Sequence, residues 1–191
     1  MKIYTRRGDD GTTGLLYGGR VAKDSAVIEA NGAVDEAQAA LGLVRAEVDK
    51  GSELDALLVG LARDLYVLMA ELATAASNRR KLKPGVTLVT PEMVQFLEDR
   101  IDDLSGRFPP ITDFVIPGHD RVSAALDGAR TTARRAERES LKAAADGSLV
   151  VQYLNRLSDL LWTMARWQEH GTSLLSRQAN PATTLIEEDQ E

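Results

Sequence analysis

Apolar residues recur along most of this chain in steps of three and four, the spacing of one face of an amphipathic helix. From Asp24 to Val48 they fall at Val27, Ala30, Val34, Ala37, Leu41, Val44 and Val48. A second run, from Glu53 to Ala76, carries Leu54, Leu57, Leu58, Leu61, Leu65, Leu68, Met69 and Leu72, a wide stripe that reads as core. Gly51-Ser52 separates the two and supplies a stop and a cap. Thr90-Pro91-Glu92 starts a third helix, with Pro at the first helical position and an acid in the first turn. It runs to Leu104, and Pro109-Pro110 prevents its continuation. A fourth spans Asp120 to Ala144 and a fifth Leu149 to Trp167, whose stripe is Val150, Leu154, Leu157, Leu161 and Met164. The five patterns, with short connections and no central strand, predict an all-α, up-and-down bundle of five helices in a single domain.

Between these runs the chain is polar. Ser77 to Gly85, rich in Arg and Lys, reads as a solvated connection, and 168–191 as a polar tail that is loose without ligand. Phe114-Val115-Ile116-Pro117-Gly118 is an apolar extended loop, either tucked against the bundle or lining a pocket. The stretch Leu57–Ala76 is interrupted by Arg63, Asp64 and Glu71, which argues against a membrane span.

Composition narrows the chemistry. Hydrophobic residues make up 43% of the 191 and charged residues 27%, an ordinary globular balance. The net charge of −6 disfavours non-specific nucleic-acid binding. The absence of cysteine excludes disulfides, thiolate metal sites and a Cys nucleophile, and two histidines exclude a His-rich metal site. Paired E-x-x-H motifs of a di-metal carboxylate bundle are also absent. The expectation is a cytoplasmic protein with no metal site of its own and no visible secretory signal.

Two segments carry candidate chemistry. Tyr4-Thr5-Arg6-Arg7-Gly8-Asp9-Asp10-Gly11-Thr12-Thr13-Gly14 gathers glycines, threonines and arginines, residues that present backbone N–H groups, hydroxyls and guanidinium forks to phosphate oxygens. Asp9 and Asp10 suit such a site only if a cation such as Mg²⁺ accompanies the anion. The alternative is a flexible polar terminus, since neither G-x-x-x-x-G-K-[ST] nor G-x-G-x-x-G spacing is present. Lys23, just before the first helix, reads by itself as a surface lysine. In the fourth helix Arg130, Arg134 and Arg138 stand four apart on one face, with Arg135, Glu137 and Glu139 beside them. That pattern is either an exposed, salt-bridged helix or an arginine row aimed at a polyphosphate, with Glu137 holding one fork.

Taken together and in order, Tyr4–Gly11, Lys23, Asn31-Gly32-Ala33-Val34-Asp35-Glu36, Phe114–Gly118, Arg134–Arg138 and Tyr153-Leu154-Asn155-Arg156-Leu157-Ser158-Asp159 closely resemble the ATP:corrinoid (cob(I)alamin) adenosyltransferases of the propanediol-utilisation type. The resemblance runs to about Trp167. It implies a ferritin-like five-helix bundle, a homotrimer and an ATP site between subunits. It divides the domain into an ATP-binding arm (1–23), the bundle (24–167) and the tail. Thr5, Arg6, Arg7, Gly8, Thr13, Gly14 and Lys23 would bind ATP, completed by Arg134, Arg135, Glu137, Arg138 and Asn155. Asp35 and Arg130 match a pair that bridges subunits near the corrinoid, and Phe114 the apolar residue that keeps the corrinoid's lower axial position empty. The implied reaction transfers the 5′-deoxyadenosyl group of ATP to Co(I), with Mg²⁺ on the released triphosphate, so no protein nucleophile is needed. A flavin-type reductase and an adenosylcobalamin-dependent acceptor enzyme are the implied partners. His119, the basic 79–83 loop and the long tail depart from the family pattern. A non-catalytic ATP or corrinoid carrier and a purely structural helical adaptor are the competing readings.

Overall fold

The computed structural model describes residues 3–177. A small antiparallel hairpin, β1 (Thr12–Gly14) and β2 (Arg20–Ala22), precedes α1 (Ala26–Ala46), α2 (Glu53–Leu72), a 3-10 helix (Ala76–Lys81), α3 (Pro91–Ser105), α4 (Arg121–Ser140) and α5 (Val150–Gln168). The predicted stripes form the core: Ala30, Val34, Leu41, Leu58, Leu65, Leu97, Ala133, Leu154 and Leu161 are all buried. Helix starts follow their capping residues. The Ser52 hydroxyl accepts from the Asp55 N–H at 3.1 Å. Asp120 and Ser123 form a reciprocal capping box, with Asp120 Oδ1 accepting from the Ser123 N–H at 2.8 Å.

Cross-helix contacts fix the directions. Asn31 and Gln38 of α1 donate to the carbonyls of Met69 and Ala62, so α2 descends beside α1. Glu36 and Glu47 pair with Arg135 and Arg121, so α4 also runs against α1. Asn155 meets Glu137 and Arg166 meets Asp127, which sets α5 against α4. Arg156 meets Glu98 and Arg107 lies over Trp167, so α3 runs with α5. The bundle is therefore up-and-down throughout. The hairpin, the 3-10 helix and the α4–α5 turn gather at one end. The Phe114 loop and the start of the tail gather at the other.

Within the arm, Thr12 to Ala22 folds into the hairpin. Three expectations change. The second helix stops at Leu72, not Ala76: the Leu16 N–H takes the Ala73 carbonyl, and the Thr74 hydroxyl bonds back to Ala70. The fourth stops at Ser140, not Ala144. The basic connection is not simply solvated: Arg79 Nη2 lies 3.0 Å from Glu71 Oε1, a carboxylate 1% exposed that also accepts from the Val89 N–H and the Ser148 hydroxyl. A charge that deep needs several donors, and three elements supply them.

Candidate functional site

The hairpin organises the arm. Arg20, one residue into the return strand, donates from Nε to Thr12 Oγ1 at 3.0 Å and from Nη2 to the Arg7 carbonyl. Asp10 accepts from the Thr12 hydroxyl at 2.7 Å and the Thr12 N–H at 2.9 Å. Those bonds, with the Arg20 charge behind them, hold the Asp10 carboxyl below its usual range. Gly8 permits a close approach: a Cβ there would stand 3.0 Å from the Thr12 carbonyl oxygen and 3.1 Å from Lys23 Nζ. The fold thus delivers Lys23 to the glycine loop. Thr13 and Gly14 pair with Val21 and Arg20 in the hairpin. Thr5 caps the turn loosely, its hydroxyl 3.4 Å from the Arg7 N–H. Arg6 adopts φ 58°, a left-handed conformation that costs energy for any residue with a Cβ and clusters at functional loops.

On α4 the arginines separate into engaged and free. Arg135 is ion-paired to Glu36. Arg130 Nε is held by Asp127 Oδ1 at 3.1 Å. Arg138 Nη1 donates to the Arg134 carbonyl at 3.0 Å. Arg134 is exposed, and its guanidinium has no hydrogen bond or ion pair among the described residues. Glu137 does not hold an arginine fork as expected. It accepts from Asn155 Nδ2 at 3.1 Å, because α5 brings Asn155 beside it while Arg134 points to solvent. No hydrogen bond or ion pair joins residues 3–14 or Lys23 to the α4 arginines among the described residues.

Asp35 is likewise exposed. It lies on the α1 side of a groove shared with Gln38, Arg45 and Tyr66, and the Asp35–Arg130 pair is not made within one chain.

At the opposite end lies a hollow of about 580 Å³ lined by Phe114, Val115, Pro117, Arg130, Trp162 and Arg166. Phe114 is 81% exposed, so its ring covers the hollow without being packed into the core. Its loop is strapped by the first residues of the tail. Ile116 donates its N–H to the Leu174 carbonyl at 2.9 Å, and Ser176 donates to the Phe114 carbonyl at 2.8 Å. His119 Nε2 lies 3.1 Å from the Thr172 hydroxyl. The expectation of a loose tail therefore fails for 172–176, whose backbone completes the loop's hydrogen bonding; Asn180-Pro181 and the acidic end lie outside the described residues.

Sequence reasoning missed Arg20, Asp127, Trp162, Arg166 and Glu169. Arg166 carried a signal, being a charge four residues beyond Trp162 inside an apolar helix. Arg20 carried none beyond its hairpin position. Among the described residues no group of three or more His, Asp or Glu side chains could hold a metal ion. None of the described helices is long and apolar enough to cross a membrane.

A family model described as cobalamin adenosyltransferase matches residues 3–168. A corrinoid adenosyltransferase of Citrobacter freundii is 40% identical over 171 residues, covering 88% of this chain and 95% of that protein. The corrinoid adenosyltransferase PduO of the same organism is 39% identical over 173 residues, and the match spans 89% of this chain but only 50% of that relative. Among solved structures, a variant PduO-type ATP:corrinoid adenosyltransferase from Lactobacillus reuteri complexed with cobalamin and ATP superposes with a TM-score of 0.81 at 27% identity, covering 94% of this chain and 98% of that one. A second variant of that enzyme, complexed with ATP, gives 0.80 at 27% identity, covering 92% and 100%.

Proposed function

The chain belongs to the cobalamin adenosyltransferase family, and on that premise we propose that it transfers the 5′-deoxyadenosyl group of ATP to the reduced cobalt of a corrinoid. The Co(I) electron pair attacks C5′, the C5′–O bond breaks and triphosphate leaves with the bonding pair. The polypeptide therefore has three tasks: to align C5′ with cobalt, to neutralise the leaving group and to keep water away.

The observation that carries this reading is Arg134, an exposed guanidinium with no hydrogen bond or ion pair among the described residues, in a row whose neighbours Arg130 and Arg135 are both engaged by carboxylates. An unengaged fork is free to meet a phosphate oxygen. Thr5, Arg6, Arg7, Gly8, Thr13, Gly14 and Lys23 grip the triphosphate from the arm, and Arg134, Arg135 and Arg138 meet it from α4, with Glu137 and Asn155 bracing that face. Among the described residues no hydrogen bond or ion pair joins the arm to α4 of its own chain, which suits a site whose two halves are supplied by neighbouring subunits of a homotrimer. Asp35 of one subunit then reaches Arg130 of the next. Mg²⁺ arrives on the phosphates, with Asp9 and Asp10 exposed nearby; neutralising the triphosphate is its contribution. Phe114 and the hollow beneath it receive the lower face of the corrinoid and exclude an axial ligand. The setting is cytoplasmic, with a flavin-type reductase upstream and an adenosylcobalamin-dependent enzyme downstream.

Anaerobic mixing with ATP, Mg²⁺ and chemically reduced cobalamin tests the proposal. The expected outcome is stoichiometric triphosphate and an alkyl-cobalt absorption spectrum. A carrier would bind both ligands and give neither product. A structural adaptor would show no rise in thermal stability at millimolar ATP.

A further inference from the structure

Four charges meet between α4 and α5 beneath the Phe114 hollow. Arg166 and Glu169 are each 1% exposed and Asp127 is 5% exposed. Arg166 Nη2 lies 2.6 Å from Asp127 Oδ2 and 2.9 Å from Glu169 Oε1. The second oxygen of Asp127 holds Arg130 Nε at 3.1 Å. The second oxygen of Glu169 accepts from the Ser173 hydroxyl. Ser173 leads directly into the segment whose backbone bonds Ile116 and Phe114. Polar contacts therefore run from the Arg130 guanidinium through buried Arg166 to Ser173, and the chain itself carries the line on to Leu174 and Ser176, which bond the backbone of the Phe114 loop.

Two carboxylates and two guanidinium groups balance in charge. Desolvating them is still expensive, and apolar residues of similar volume often serve stability as well or better. Arg166 Nε is even buried with no hydrogen-bond partner among the described residues. Stability alone is thus a poor reason for the arrangement, whereas geometry is a good one. Asp127 binds Arg130 at Nε, and among the described residues neither Nη group has a hydrogen bond or ion pair, so the outer edge of the guanidinium is not claimed within the chain where Arg130 lines the hollow.

We propose that Asp127, Arg166 and Glu169 are positioning residues that fix the reach of Arg130 and the seat of Phe114 relative to one another, so that a corrinoid meets both at a preset spacing. This rests on the hollow being the corrinoid side of the site. Coupled groups give non-additive effects, and independent ones give additive effects.

The test is a double-mutant cycle in the full chain between Glu169→Gln and Arg130→Lys, with Ser173→Ala as a milder partner should Glu169→Gln fail to fold. Cob(II)alamin affinity is read by absorbance titration, alongside KM for ATP and for corrinoid. Glu169→Gln is expected to weaken corrinoid binding about tenfold, and the double variant to lose at least about threefold less than the product of the single losses. ATP KM stays at the wild-type value. Strictly multiplicative losses, or ATP and corrinoid parameters moving together, overturn the proposal. Wild-type protein that binds no corrinoid overturns the functional reading itself, whereas wild-type binding with multiplicative variants overturns the network alone.

Discussion

At the Phe114 end of the bundle the key cation, Arg166, is 1% exposed and pinned by two carboxylates, and the mobile-looking loop above it is strapped by the tail. At the arm end the key cation, Arg134, is exposed with no hydrogen bond or ion pair to its guanidinium among the described residues, and none joins the glycine loop to the α4 arginines there. At one end the charges are paired within the chain. At the other Arg134 is not, among the described residues. On the proposed function, the difference follows from what each end would hold. A corrinoid face is broad and needs a preset apolar seat. A triphosphate is highly charged, and a guanidinium that keeps its fork unpaired is ready to meet it. Even so, the open end has a rigid footing, since the hairpin turn at Tyr17-Gly18 is held by Asn78 and lies near Lys81, on the 3-10 helix anchored through Arg79 to Glu71.

That footing gives the largest expected effect. Glu71→Ala strands Arg79, the Val89 N–H and the Ser148 hydroxyl, and should cost on the order of 3–5 kcal/mol of stability by urea unfolding. Wild-type unfolding would show that the arm end has no buried base. Next, Arg134→Ala should lose about 3 kcal/mol of transition-state stabilisation with Tm unchanged, because the side chain contributes nothing to the fold. Arg134→Lys recovers only part, since the planar fork is missing. Undiminished turnover of Arg134→Ala would remove it from the site. At the closed end, Phe114→Ala should leave ATP binding intact and slow reduction of bound Co(II) about tenfold, roughly 1.4 kcal/mol; equal loss of both functions would mean the two ends are not separable. The smallest effect is a pH dependence. Asp10 titrates below its unfolded value because Thr12 donates to its carboxylate, so its contribution to hairpin order is complete above the unfolded pKa and is lost as pH falls through the folded one. The Thr12 amide resonance should report that transition. A flat profile would place Asp10 outside the hairpin's hydrogen bonding.

The five helices were legible because periodicity and caps are local. Leu54 to Leu72 announces a core stripe whatever surrounds it, and Asp120 caps a helix using a residue three positions away. Their ends were less legible. Nothing near Leu72 says that Leu16 will claim the Ala73 carbonyl, fifty-seven residues away in sequence. The arginine row was visible on α4, but the sorting of its members was not. Whether Arg135 is engaged depends on α1 lying opposite, where Glu36 meets it.

The chain alone therefore determined its class of fold, the residues able to meet phosphate and, by resemblance, the chemistry they serve, since each is written in side-chain type and short-range spacing. Tertiary structure decided which charges are spent internally. Glu36 takes Arg135, Asn155 takes Glu137, Asp127 reaches across to Arg166, and the Arg134 guanidinium has no bond among the described residues. Those pairings join residues 18 to 99 positions apart on helices whose mutual register no local pattern specifies, and burial of Arg166 becomes tolerable only where Asp127 and Glu169 are both brought to it.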